Sequence, residues 1–149
     1  MMKIIKIGFA VSALAMFMLS CKTTAQTTSD IKSINYTHTF GRGGATSVTA
    51  TPDSIVSSAT GGRTQEFPNL QKKIMVTDWQ KLVSGLNTSV LEQTVSGPRR
   101  GVYDGPDQIF RIITKDKEYE IYNVPTESPG YKQLEKLKTE MEAMLSRYK

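Results

Sequence analysis

Seven side chains near the end of this 149-residue chain, Tyr131, Leu134, Leu137, Met141, Met144, Leu145 and Tyr148, recur at helical spacing, with Lys and Glu on the opposite side. That pattern predicts a helix with one continuous apolar stripe, which needs an equally long apolar surface to bury it. Ser128 is placed to cap this helix, and Pro129 suits its first position, where a missing amide proton costs nothing. Upstream the period changes. Ile34, Tyr36, His38 and Phe40 occupy every second position, the signature of one face of a strand. Gly41-Arg42-Gly43-Gly44 then reads as a turn, followed by strands over 45–51 and 54–59 that are separated by Pro52-Asp53. Residues 63–70 look irregular, and Lys72 to Val76 looks extended.

A second amphipathic helix is marked by Trp79, Leu82, Val83 and Leu86. Thr77 and Gln80 have capping-box spacing at its start, and Asn87 is its expected stop. Gln108–Lys115 and Glu118–Asn123 alternate as the two arms of a hairpin turning at Asp116-Lys117. The expected order is therefore strands, helix, hairpin, helix. An antiparallel sheet with both helices on one face buries every stripe, which makes the fold α+β.

The first twenty residues have the form of an export signal. Lys3 and Lys6 precede an almost wholly apolar stretch from Ile7 to Leu19. Thirteen residues are short for a membrane-spanning helix, which needs about 20, and fit the apolar region of a signal peptide, roughly 7–15. Small Ser20 then precedes Cys21, the one cysteine of the chain, so no internal disulfide can form. The junction resembles the lipobox of bacterial lipoproteins, in the looser form of the Bacteroidota, with Met18 where Leu is usual. The resemblance implies cleavage before Cys21, lipid on that residue, and a membrane anchor. The outer membrane is the default address, because Lys22 lacks the Asp that marks inner-membrane retention in enteric bacteria. Ordinary cleavage after Ala25 is the alternative. On the first reading residues 1–20 are a signal, 21–30 a polar tether, and 31–149 one α+β domain.

Composition narrows the function. Removal of residues 1–20 leaves 17 basic and 14 acidic side chains with no long basic run, which argues against a nucleic-acid partner. His38 is the sole histidine, and no Gly-x-Ser-x-Gly elbow accompanies it, so no catalytic residues are assigned and no enzyme is expected. One His and one Cys destined for lipid cannot make a zinc site. Asp104 and Asp107 flank Gly105-Pro106, but the acidic run of a calcium loop is missing, and a turn is the better reading. Gly41-Arg-Gly-Gly and Gly61-Gly-Arg63 join strands, unlike phosphate loops, which open helices. No metal and no cofactor are expected.

Residues 96–107 stand apart. This loop combines Gly97, Pro98, Arg99, Arg100, Gly101, Tyr103, Asp104, Gly105 and Pro106. Loops of that length are usually functional or disordered, and Arg and Tyr are favoured at protein-binding hot spots; a solvated connector is the equal alternative. Arg99, Arg100, Tyr103 and Asp104 are therefore the candidate partner-binding residues, their Arg and Tyr side chains expected in solvent. Phe40-Gly-Arg-Gly-Gly, Asp78-Trp-Gln-Lys-Leu, Asp107-Gln-Ile-Phe and Glu118-Tyr-Glu-Ile together resemble the small exported proteins around emfourin, inhibitors of thermolysin-like metalloproteases. The chain departs from them in the Gly61–Leu70 stretch and in the Cys21 junction. The expected function is a lipid-anchored envelope protein that binds another protein, with protease inhibition implied by the resemblance. A structural accessory of an envelope assembly, joined through a sheet edge, is the second expectation.

Overall fold

The structure, a computed structural model, describes residues 30–149, with Arg63 described by its backbone alone. The export-signal and lipobox residues lie outside this range. Six strands form one antiparallel sheet: β1 (Ile31–Thr39), β2 (Ala45–Ala50), β3 (Ser54–Thr60), β4 (Leu70–Lys73), β5 (Gln108–Thr114) and β6 (Glu118–Tyr122). Their order across the sheet is β4-β3-β2-β1-β5-β6, so the first four strands form a meander and the late hairpin adds to the free side of β1. Three helices accompany them among the described residues: α1 (Val76–Ser84), α2 (Thr88–Gln93) and α3 (Tyr131–Tyr148). The fold is α+β.

Alternation along the strands builds the core row by row. Ile121, Phe110, Tyr36, Val48 and Ser57 stand abreast on five strands, and Tyr119, Ile112, Ile34, Ala50 and Ile55 form the next row. The apolar members of both rows are buried in one core with Trp79, Leu82 and Val83 of α1, Leu91 of α2, and Leu134, Leu137, Met141, Met144 and Leu145 of α3. Buried Ser57 is compensated by its bond to the Pro68 carbonyl, 2.7 Å away. The alternate positions of β1 and β2 carry Asn35, Thr37, Ser47 and Thr49, which hydrogen-bond to one another over the other face.

The helix starts differ from expectation for reasons visible in the contacts. Helix α1 begins at Val76 rather than after Thr77, and no side chain caps it. The capping box does not form. Instead Tyr148 Oη accepts from the Met75 amide at 2.9 Å and donates to buried Asp78, which Arg147 also contacts. This clip ties the first turn of α1 to the last turn of α3, and those hydrogen bonds hold the Asp78 carboxyl below its ordinary range. Asn87 is not a stop but a start: its side chain accepts from the Ser89 and Val90 amides and opens α2, a third helix that the two-helix expectation omits. Helix α3 starts at Tyr131, because Pro125–Tyr131 winds through turns and Ser128 Oγ is engaged by the Val95 amide. Gly130 presses against the Thr94 side chain where a Cβ would collide.

The two ends of β1 have different surroundings. The chain enters the sheet beside the β5–β6 turn, where the Lys115 amide donates to the Asp30 carbonyl at 2.8 Å. Nine residues later Thr39 exchanges bonds with Asp107, at the opposite end of the sheet.

Candidate functional site

At that far end the 96–107 loop is organised around one buried carboxylate. Asp107 is 1 % exposed, and its carboxylate accepts four hydrogen bonds from the described residues. They come from the Arg100 amide at 2.6 Å, the Gly101 amide at 3.0 Å, Arg99 Nε at 3.0 Å and Asn123 Nδ2 at 2.6 Å. Burial alone would raise its pKa, but these donors outweigh that cost and hold the carboxyl well below the usual carboxylate range. Asn123, just past β6 and in the left-handed region at φ 41°, also donates to the Pro98 carbonyl at 2.7 Å. The Gly97 amide bonds to the Tyr122 carbonyl at 2.8 Å, and Ser96 Oγ accepts from the Tyr122 amide. Both ends of the loop are thereby fastened to the β5–β6 hairpin.

The candidate residues part company here. Arg99 reaches solvent as expected, its side chain 46 % exposed, but it is not free. It bonds Asp107 and lies over the Tyr122 ring, 4.4 Å from its centroid, because the buried charge needs a counter-ion. Arg100 gives its amide to Asp107 and leaves its guanidinium exposed. Gly101–Tyr103 forms a 3₁₀ turn that lifts Val102 and Tyr103 outward, 77 % and 87 % exposed. Asp104 follows at φ 59° and pairs with Arg42 at 3.1 Å, both on the surface. The Gly41–Gly44 turn and the loop are thus neighbours. Gly41, at φ 57°, lies so near the Asp104 carbonyl that no side chain could replace its hydrogen. Asp104 and Asp107 face different surroundings, one toward Arg42 and the other inward, and among the described residues no group of three potential metal-ligating acids, His or Cys assembles.

A cleft of about 260 Å³ opens between this loop, the end of β1 and the first turns of α3. His38, Arg100, Gln108, Asn123, Tyr131, Glu135 and Lys138 supply its polar lining. At His38 it meets a second hollow of about 230 Å³ lined by Tyr36, Phe40, Val48, Phe67, Glu142 and Leu145. His38 packs against Phe40, the rings tilted by 45° with centroids 4.4 Å apart, and its side chain makes no hydrogen bond among the described residues, so no Ser or Asp relay is built around it. Burial, and then the Lys138 charge, lower its pKa against the opposing pull of Glu142.

No protein-family model matches the chain, and no curated protein is found similar to it.

Proposed function

We propose that this chain is a lipid-anchored cell-envelope protein that docks a protein partner through the loop end of its sheet. The observation that carries this reading is the exposed Val102–Tyr103 pair, raised on a loop whose base is locked by Asp107. An apolar pair held in place before binding loses little entropy on association, and Tyr contributes large contact area with few rotatable bonds. Arg100, Arg42 and Asp104 surround the pair with charge. We read the helices as layered over one face of the sheet, which leaves the Asn/Thr/Ser face and this end accessible. Binding, rather than catalysis, is the activity this reading assigns, and inhibition of a thermolysin-like protease is its most specific form.

The rival reading, an accessory subunit joined through a sheet edge, draws less support. Edge strand β4 is four residues long and carries Lys72 and Lys73, features that discourage strand addition. Along the other edge, both backbone groups of Tyr122 are taken by Ser96 and Gly97.

Two outcomes follow. A photo-crosslinking side chain at Tyr103 should trap a discrete partner in intact cells, and the same probe at Gln71 on β4 should not. Trapping at Gln71 alone would favour the accessory reading. Cys21→Ser should abolish palmitate labelling and leave the chain either uncleaved or soluble, since each buried methylene of the lost lipid contributes about 0.8 kcal/mol to anchoring. Unlabelled wild-type protein beginning at Gln26 would instead show ordinary signal cleavage.

A further inference from the structure

We propose that the cleft beside the loop receives a carboxylate from an extended acidic segment of the partner, with an adjoining apolar side chain lying along Phe40 and Phe67. The proposal rests on the docking reading above and adds to it a second contact of defined chemistry.

Charge and size select the occupant. The Arg100 guanidinium has no partner among the described residues, and neither do the Tyr131 hydroxyl and the Gln108 amide. Lys138 lies 3.9 Å from Glu135, at the limit of an ion pair. The cleft therefore holds two cations against one carboxylate, with spare hydrogen-bond donors. An Arg fork matches a carboxylate in both geometry and charge. At about 260 Å³ the cleft falls just under the roughly 300–1,000 Å³ typical of small-molecule sites, which suits one side chain better than a whole cofactor. The adjoining hollow changes character: Tyr36, Phe40, Val48, Phe67 and Leu145 line it, and Glu142 is the one charge in that lining. A carboxylate followed by an aromatic or aliphatic residue complements the two hollows in sequence, with His38 at their junction.

His38 also reports on the site. Its charged surroundings are Lys138, Glu135 and Glu142 from α3 and Arg100 from the loop, and no charged side chain of β2 or β5 lines either hollow. A carboxylate arriving there favours the imidazolium, so binding should raise the His38 titration midpoint. As the sole histidine, it gives one imidazole Hε1 resonance in the full-length chain held in detergent micelles. Titration with acetyl-Ala-Glu-Phe-Ala-amide should shift that resonance saturably. The Gln analogue, and separately Arg100→Ala or Lys138→Ala, should weaken the response about tenfold, the usual scale for a charge-assisted hydrogen bond. Arg100→Ala keeps the backbone amide that binds Asp107, so its effect is not one of lost folding. No shift with the Glu peptide, an equal shift with the Gln peptide, or an equal shift with inorganic phosphate would each overturn the proposal. If the cleft fails while crosslinking at Tyr103 persists, the docking reading stands without it.

Discussion

Asp107→Ala is expected to lower the melting temperature by roughly 10 °C or more, a loss of about 3 kcal/mol. The substitution orphans the amides of Arg100 and Gly101, removes one of two acceptors from Asn123 Nδ2 and takes the counter-ion from Arg99, and an unsatisfied buried donor costs about 1–3 kcal/mol. Hydrogen exchange should quicken from Pro98 to Asp107 before the rest of the sheet is affected. The same group predicts a pH dependence. Its folded-state pKa is depressed, so its contribution is complete above the unfolded value of about 3.9 and is lost as the pH falls through the folded value. Wild type should lose this stability in strong acid, and Asp107→Ala should lack that component. Melting within a degree or two of wild type would show that the loop does not depend on this carboxylate.

Trp79→Ala and Leu137→Ala are expected to cost about 3–5 and 2–5 kcal/mol, the range for emptying packed sites. Both residues lie in the common core, 5 % and 3 % exposed. Against a typical total of about 5–15 kcal/mol, either change leaves a marginal protein. Tyr103→Ala supplies the contrast, since surface changes usually stay within about 0.5 kcal/mol. Thermal denaturation of the three variants separates core from contact surface. Equal midpoints for all three would mean that the helix stripes do not bear on the sheet as described.

Periodicity makes the strands and the long helix legible in the sequence. The alternation Ile34, Tyr36, His38 marks the inner positions of β1, and the stripe from Leu134 to Leu145 is the buried side of α3. Capping was less legible, because short polar residues serve several roles. Thr77 entered a helix it was expected to cap, Ser128 turned to Val95, and Asn87 opened a helix that lacks a long stripe. Six residues with one fully packed Leu91 leave too little pattern to detect. At the loop, residue types alone do not separate the side chain that braces the loop from those left in solvent. Nothing adjacent to Arg99 distinguishes it from Arg100; the distinction arises from Asp107 at the far end of the loop and Tyr122 of β6, which only the folded chain brings beside it. Asp107 before one strand and Asn123 after its hairpin partner was the available signal, legible only once the register of β5 and β6 is known.

The opposition between the two ends of β1 sets a working height. A nine-residue strand spans about 30 Å, and the nine steps from Cys21 to Asp30 add no more than about 30 Å when fully drawn out. On the lipid-anchored reading, Val102 and Tyr103 then operate up to about 60 Å from the acyl chains, with the domain between them and the bilayer. Such a geometry disfavours partners lying flat in the same leaflet. It suits those that project from the membrane or diffuse past it, and shortening the stretch between Thr23 and Ser29 should narrow that choice further.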